Sequence, residues 1–247
     1  MSDAKAHYAT LLAPVYAWSV SQAGDPVARA AAWLAQHELE RYATYLDLGA
    51  GFGAHALALL RAGKRVTAVD FDPLLVSALR QSAAEHASRL TLAQAEMLEF
   101  LRGAGAARWD AILCLGDTLT HLTTIEAVAE LLELGARHLS PGGRLALAYR
   151  DSTRFAADGV ERFREVARDA RRTMHCLLEP IDDEHLRVTD LVTEVEPDGP
   201  RTRLSDYVKL RLSPTRIAQF AAASGLVLTR QAEEAGMTTL VFHAAER

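Results

Sequence analysis

Short apolar runs alternate with longer segments of helical periodicity between Thr44 and Tyr149. The apolar runs predict five strands, over residues 42–48, 65–70, 89–95, 109–115 and 144–150. The periodic segments predict helices between them, over residues 54–63, 72–87, 97–103 and 124–139. Strands that alternate with helices in this way indicate a parallel sheet covered by helices on both faces.

The pattern changes on both sides of this core. Before it, "GDPVARAAAWLAQHELE" at residues 24–40 predicts a capped helix. After it come three β-rich segments separated by turn signals, at residues 171–180, 184–196 and 201–213. They predict an antiparallel meander, either added to the sheet or laid across a site. A helix over residues 214–225 and two strands, at 226–233 and 238–244, complete the pattern.

These elements predict a Rossmann-like α/β fold in a single domain. The expected architecture is a doubly wound, mostly parallel seven-stranded sheet with an N-terminal helical cap and an antiparallel β insertion. The predicted divisions are a cap over 1–43, a cofactor-binding core over 44–150, a β-rich insertion or lid over 151–213, and a C-terminal helix and hairpin over 214–247.

Composition narrows the function classes. The 247 residues are 49% hydrophobic and carry a net charge of −5 with mixed signs, which argues against a nucleic-acid or membrane-surface protein. No apolar run is long enough to span a bilayer, and the N-terminus lacks the pattern of a signal peptide. Cys114 and Cys176 have no metal-ligand spacing and are expected to be reduced thiols of a cytoplasmic protein. The nine histidines form no metal-binding pair, so no metal is expected.

A glycine-rich loop, "YLDLGAGFG" at residues 45–53, follows the first strand. Such a loop lets the backbone approach a ligand at the carboxyl end of the sheet. A phosphate-binding P-loop is excluded because no lysine occurs between Gly49 and Lys64. A dinucleotide loop remains an alternative, since Gly49, Gly51 and Ala54 match its spacing and Asp70 lies where a ribose ligand is expected.

Two features favour a ligand that bears an amine and a sulfonium instead. Asp47 places a carboxylate two residues before the first glycine, on a strand end that is normally apolar in dinucleotide binders. Gly53 keeps the loop open where a pyrophosphate would otherwise be bound. Asp70 serves either ligand, because a carboxylate accepts hydrogen bonds from both ribose hydroxyls.

The segment "LDLGAGFGAHALALLRAGKRVTAVDFDP" resembles motif I and the acidic second-strand end of class I S-adenosylmethionine-dependent methyltransferases. "WDAILCLGDTLTHL" at 109–122 is similar to the fourth-strand motif of the glycine N-methyltransferase-like group within them. "GDPVAR", "GGRLALAYRD" and "YVKLRLSPTRIAQF" resemble further stretches of that group. The resemblance implies an enzyme with S-adenosylmethionine as cofactor and S-adenosylhomocysteine as product.

The resemblance implies roles for particular residues. Arg29 would meet the methionine carboxylate, Asp70 the ribose, and Glu96 the adenine. The full set of expected cofactor-binding residues is Arg29, Asp47, Gly49, Ala50, Gly51, Gly53, Asp70, Phe71, Glu96, Met97, Leu115 and His121. Simpler alternatives stay open for four of them: a helix cap for Glu96, packing for Met97, a core position for Leu115, and a loop histidine for His121.

The expected acceptor site departs from the family pattern at Asp117, where asparagine is usual. Asp117 or His121 is the candidate catalytic base, although Asp117 alternatively caps the following helix. Arg150 is expected to hold a substrate carboxylate, or alternatively to pair with a nearby acid. The expected substrate-binding residues are Tyr8, Tyr16, Trp18, Asp117, Arg150 and Tyr207.

The sequence therefore predicts in-line methyl transfer to a small molecule, with N-methylation of an amine or amino acid as the leading hypothesis. The alternative is a small-molecule O-methyltransferase that acts on a phenol or carboxylate in specialised metabolism. A cofactor-binding regulatory protein without turnover and a nicotinamide dehydrogenase also remain open. The expected partner is a small-molecule acceptor, with no nucleic acid, no membrane and a possible homo-oligomer.

Overall fold

The computed structural model describes residues 4–155 and 163–245. Eleven strands are present in these ranges: β1 (Thr44–Leu48), β2 (Arg65–Asp70), β3 (Leu90–Gln94), β4 (Trp109–Cys114), β5 (Leu139–Tyr149), β6 (Phe163–Arg168), β7 (Arg172–Pro180), β8 (His185–Glu196), β9 (Gly199–Leu210), β10 (Leu226–Glu234) and β11 (Met237–Ala244). Seven of them form one sheet in the order β10-β11-β5-β4-β1-β2-β3, and β6-β7-β8-β9 form a second sheet. Strands β1 to β5 are mutually parallel, whereas β11 is antiparallel to both β5 and β10.

The α-helices within the described ranges are α1 (Ala4–His7), α2 (Ala13–Ser21), α3 (Pro26–Gln36), α4 (Ala54–Arg61), α5 (Pro73–Ser82), α6 (Met97–Gly103), α7 (Ile125–His138) and α8 (Pro214–Ala223). A π-helical turn, Tyr8–Leu12, joins α1 to α2, and residues 4–21 are called the N-terminal arm below. Three helices begin as their sequences predict, with the side chains of Asp25, Asp72 and Ser213 accepting N–H groups of the first turn. Each described helix is too short or too polar to cross a bilayer.

The large sheet is buried on both faces. On β1, Tyr45 and Leu46 are both fully buried but belong to different apolar clusters, because successive side chains point to opposite faces. Leu46 joins the cluster that contains α7 and α8, and Tyr45 joins the cluster of α3 and α4. The strand ends are thereby fixed, and so are the loops that follow them.

The four-stranded sheet packs against the N-terminal arm. Met174 and Val192 on the sheet share an apolar cluster with Leu11, Leu12 and Val15 of the arm. All three strand pairs in this sheet are antiparallel. The arm and this sheet together lie beside the loops at the carboxyl ends of β1, β4 and β5.

The fold class expected from the sequence is confirmed, including the antiparallel insertion. One local expectation is wrong: the fifth strand is predicted to begin at residue 144, with "PGG" at residues 141–143 as a turn before it. In the structure β5 begins at Leu139 and runs through this segment, with an irregular register against β4 between Trp109 and Ala111. Gly142, with φ +74°, allows the strand to bulge there instead of ending.

Candidate active site

The loop after β1 is held against the end of β2. The Gly49 N–H donates to the Val69 carbonyl oxygen at 2.8 Å, and the Gly51 N–H donates to the Asp70 carboxylate at 2.7 Å. Gly49 has φ +69°, and a Cβ there would overlap the Thr118 side chain. The loop therefore needs glycine at 49, and its backbone faces the cavities described next.

A first cavity of about 590 Å³ opens beside this loop. Asp70, Phe71, Glu96 and Met97, all expected to bind cofactor, line it. The Lys5 ammonium pairs with the Glu96 carboxylate at 2.7 Å. Glu96 occupies the N-cap position of α6, but within the described chain its side chain makes no capping hydrogen bond, which argues against a plain cap. Two carboxylates beside apolar side chains suit a ribose and an adenine ring.

A second cavity, also about 590 Å³, runs from the glycine loop to the inner face of the four-stranded sheet. Arg29, Ala50 and Leu115 lie at its loop end, where the Arg29 guanidinium donates to the Val20 carbonyl oxygen at 3.0 Å. We call its sheet end the acceptor chamber. The polar lining of the chamber is Asp117, His121, Arg150, Asp190, Tyr207 and Lys209, and its apolar wall is Phe155, Met174, Cys176, Leu178, Leu186 and Val188.

Four residues line both cavities: Tyr8, Tyr16, Gly49 and His121. The two cavities therefore adjoin at these four residues, and we call this boundary the passage below. Tyr8 lies edge-on to His121 with ring centroids 5.7 Å apart, so the arm covers this point. Burial raises the pKa of Tyr16 to about 12, with the charge of Asp70 adding to it, and it also raises the pKa of Tyr8. Both phenols are therefore protonated donors at neutral pH.

Arg150 and Lys209 both donate hydrogen bonds to the Asp117 carboxylate. Its Oδ1 accepts from the Arg150 backbone N–H at 3.0 Å, and its Oδ2 accepts from the Lys209 ammonium at 2.6 Å and the Arg150 guanidinium at 3.5 Å. Burial alone would raise the pKa of Asp117, but the charges of Lys209 and Arg150 hold it well below its ordinary value. A carboxylate so stabilised is a poor proton acceptor, which argues against Asp117 as the catalytic base.

The helix-cap alternative for Asp117 also fails. Asp117 stands at the start of the short 3₁₀ turn Thr118–His121, yet its side chain makes no capping bond within the described chain. Its backbone has φ +78°, a left-handed conformation that aspartate and asparagine tolerate better than most residues. Aspartate therefore fits this loop as well as the asparagine of the family pattern would.

His121, the other predicted base, lines both cavities. Burial lowers its pKa to about 4, and the charge of Lys209 adds to this effect. The imidazole is therefore neutral at physiological pH and free to accept a hydrogen bond. Its ring lies 5.3 Å from that of Tyr207, at the chamber side of the passage.

Two residues expected on the cofactor lie outside the lining of both cavities. Asp47 is buried beneath the loop, and one of its carboxylate oxygens has no hydrogen-bond partner in the described chain. Gly53 faces α5, where a Cβ would overlap the Leu79 side chain. The expectation of direct cofactor contact is corrected for both, since they shape the loop from behind.

Trp18 does not wall the acceptor chamber, contrary to expectation. Its indole N–H donates to the Asp169 carboxylate at 2.6 Å, and the Arg172 guanidinium lies 4.6 Å from its ring centroid. Two residues along an α-helix rotate the side chain by roughly 200°, so Trp18 points away from the side that Tyr16 presents. Trp18 instead fastens the arm to the turn between β6 and β7.

Sequence reasoning missed the buried polar groups that the four-stranded sheet contributes. Lys209 lies two residues after Tyr207 on β9, and the strand period of two would have placed both on one face. The Asp190 carboxylate on β8 is hydrogen-bonded to His7 Nε2 at 3.1 Å, and no local sequence pattern reveals a pairing between residues so far apart in the chain. In residues 4–155 and 163–245 no cluster of three or more His, Cys, Asp or Glu side chains is arranged to hold a metal ion.

Replacing Asp47 by asparagine should change how stability depends on pH. Burial raises the pKa of Asp47 from 3.8 to about 7, with the charge of Asp70 adding to it. Between these values the unfolded chain binds fewer protons than the folded one, so wild-type stability falls as pH rises. The free energy of unfolding of Asp47→Asn, compared with that of wild type, should therefore rise by about 2–4 kcal/mol as the pH increases from about 4 to about 8. Urea denaturation at several pH values measures this, and a pH-independent difference would contradict the assignment.

Residues 46–143 match the sequence model of a family described as "Methyltransferase domain". Among curated proteins, the chain is 36% identical over 91 residues to the ribosomal RNA small subunit methyltransferase A of Mycobacterium leprae. The match covers 35% of this chain and 29% of that protein, so the chain spans less than a third of the relative it matches.

Solved structures match over nearly the whole chain. The CcbJ methyltransferase from Streptomyces caelestis superposes with a TM-score of 0.80 at 20% identity, covering 95% of this chain and 96% of its own. CalS10, an amino pentose methyltransferase from Micromonospora echinaspora, superposes with a TM-score of 0.76 at 21% identity, covering 92% and 95%. At these identities the likeness establishes the fold.

The comparisons confirm the expected fold and the resemblance of residues 46–143 to a methyltransferase domain. Enzymatic activity with S-adenosylmethionine as cofactor is what this resemblance supports. The finer resemblance to the glycine N-methyltransferase-like group stays a prediction, as do the roles of the individual site residues.

Proposed function

We propose that this chain, whose residues 46–143 match a methyltransferase domain, is a class I S-adenosylmethionine-dependent enzyme that methylates an amine nitrogen of a small molecule. The observation that carries the proposal is the boundary of Tyr8, Tyr16, Gly49 and His121, at which a cavity of about 590 Å³ adjoins an equally large second one. The arm and the four-stranded sheet cover the second cavity, which favours an acceptor small enough to be enclosed.

The residues present fit the cofactor. S-adenosylmethionine supplies an activated methyl group on a sulfonium, so the protein needs no covalent nucleophile. Asp70 would accept from the ribose hydroxyls, Glu96 and Met97 would flank the adenine, and Arg29 would face the methionine carboxylate. The glycine at 49 leaves room for close approach of the ligand to the backbone.

The acceptor chamber offers a charged end and an apolar wall. The Arg150 side chain is 36% exposed and holds Asp117 through one long contact of 3.5 Å. The other edge of its planar fork is available for a carboxylate. Sheet residues such as Met174, Leu186 and Val188 supply an apolar surface for the body of the acceptor. An amine that also carries an anionic group fits this lining.

Alignment and exclusion of water account for most of the proposed rate enhancement. Tyr8 and Tyr16 would close the passage above the reacting atoms. Neutral His121 would accept a hydrogen bond from the acceptor N–H and orient the nitrogen lone pair. The Asp117 carboxylate already accepts hydrogen bonds from Lys209 and Arg150. It would therefore help to orient the acceptor without taking the proton of its amine.

The proposal is tested by release of S-adenosylhomocysteine in the presence of two acceptor pools, amino-carboxylates and phenols, with wild type and Arg150→Ala. We expect turnover of amino-carboxylates and a rise in KM of about 10- to 100-fold in the variant, because a charge-assisted bond is lost. Arg187→Ala removes an arginine from the outer face of the four-stranded sheet and serves as the matched control. Turnover confined to phenols, and unchanged in Arg150→Ala, would replace this proposal by O-methylation.

A further inference from the structure

The acceptor chamber contains a buried lysine that the reaction does not obviously require. The Lys209 ammonium and the Asp117 carboxylate are 2.6 Å apart, and both side chains are less than a tenth exposed. They come from different parts of the fold: Lys209 from β9 of the four-stranded sheet, Asp117 from the loop after β4. A pair this deeply buried needs its own explanation, because desolvation of two charges is costly.

Asp117 alone would create a difficulty for methylation of an amine. An isolated carboxylate beside the passage would attract the protonated amine and stabilise its charge. Protonated nitrogen has no lone pair and cannot attack the methyl group. Lys209 removes this difficulty, because its charge cancels that of Asp117 at contact distance. Arg150, 3.5 Å from the same oxygen, leaves the cluster with one surplus positive charge.

We propose that Lys209 is a positioning residue that holds and neutralises Asp117, so that the acceptor amine occupies the passage as its free base. The inference rests on the proposed N-methylation and extends it to the protonation state of the bound acceptor. A net positive cluster disfavours an ammonium ion and favours a neutral amine.

Other groups around the chamber do not cancel this effect. The titratable and charged side chains that face the pair are Tyr8, Tyr16, His7, His121, Arg150, Arg164, Cys176, Asp190 and Tyr207. Burial raises the pKa of Cys176 to about 12, so this thiol is neutral, as are the three tyrosines. The second carboxylate, Asp190, is bonded to His7 at 3.1 Å, and Arg164 supplies a positive charge in the same lining that offsets it. Lys209 is therefore the side chain of the four-stranded sheet that contacts the Asp117 carboxylate directly.

His121 provides a reporter that needs no acceptor. Its ring senses both members of the pair, since Lys209 lowers its pKa and Asp117 raises it. NMR titration of the histidine ring protons, with His121→Asn to assign the resonance, gives this pKa directly. Lys209→Met should raise it by on the order of one unit. Lys209→Gln should do the same while keeping an N–H donor for Asp117, which protects the fold. Asp117→Asn should move the pKa in the opposite direction.

Two controls separate charge from structure. Lys209→Arg keeps the positive charge and should leave the pKa of His121 close to the wild-type value. Arg187→Met removes a positive charge from the outer face of the sheet, where Arg187 lies 3.9 Å from Asp206, and should also leave it unchanged. A folded Lys209→Gln with an unchanged His121 pKa overturns the proposal.

The kinetic test uses as acceptor the amino-carboxylate that gives the highest turnover in the pooled assay. The acidic limb of its kcat profile, which reports groups in the enzyme–substrate complex, should move to higher pH by on the order of one unit in Lys209→Gln. It should move back in the double variant Asp117→Asn/Lys209→Gln. A His121 shift without this movement also overturns the proposal. Absence of turnover with every amine would instead defeat the proposed function, while the NMR titration still decides the role of Lys209.

Discussion

Replacing Gly49 by alanine should lower the affinity for S-adenosylhomocysteine by about 100-fold or more. Gly49 has φ +69°, a conformation that costs an L-residue about 1 kcal/mol. The added Cβ would also overlap Thr118, a β-branched side chain with little rotamer freedom. Relief of the overlap requires movement of the loop that lines both cavities, and every 1.4 kcal/mol lost is a factor of about ten in affinity. Isothermal titration calorimetry measures the loss.

Gly63→Ala is the matched control for this prediction. Gly63 has a similar φ of +81°, but no atom lies within contact distance of a Cβ built there. We expect it to lower stability by about 1 kcal/mol and to bind S-adenosylhomocysteine like wild type. Equal affinity losses in the two variants would show that backbone strain, and not the position of Gly49 in the site, accounts for the effect.

Asp70→Ala should weaken S-adenosylhomocysteine binding by roughly 100- to 1,000-fold. The carboxylate accepts from the Gly51 N–H at 2.7 Å and from the Asp72 N–H at 2.9 Å, so it fixes the glycine loop and the start of α5 together. Its remaining lone pairs face the first cavity, where two ribose hydroxyls would donate. Hydrogen bonds to a charged group contribute about 1.5–3 kcal/mol each, which gives the expected range.

Asp110→Ala separates loop anchoring from ligand binding. The Asp110 carboxylate also accepts two backbone N–H groups, from Ala43 and Thr44 at 3.3 and 3.0 Å, but it lies at the opposite end of the sheet. We expect similar destabilisation with unchanged affinity for S-adenosylhomocysteine. If both aspartate variants lose affinity in proportion to lost stability, Asp70 has no direct role in binding.

The fold could be predicted because its signals are local. Each parallel strand is a short apolar run, since both of its faces are buried, and helix starts are marked by capping residues such as Asp72 and Ser213. The bulge at Gly142 was missed because proline and two glycines normally indicate a turn. Whether the chain turns or bulges there depends on pairing with β4, which the segment itself does not encode.

The candidate site was predictable only where a single loop defines it. Gly49, Gly51 and Asp70 follow from one motif and lie at one cavity. Asp47 belongs to the same motif but points beneath the loop, because neighbouring strand positions face opposite sides. The neutralisation of Asp117 depends on a residue 92 positions away in sequence, and only the packing of two sheets brings the two together.

Transfer of an isotopically labelled methyl group from S-adenosylmethionine, followed by NMR of the products, tests the central claim most directly. Wild-type protein is incubated with a pool of amines, a pool of phenols, or ribosomal RNA, the last because of the matching relative. We predict label on the nitrogen of a small amine, and its loss in Gly49→Ala but not in Gly63→Ala. Label on RNA or on phenolic oxygen, with none on any amine, would contradict the proposed function.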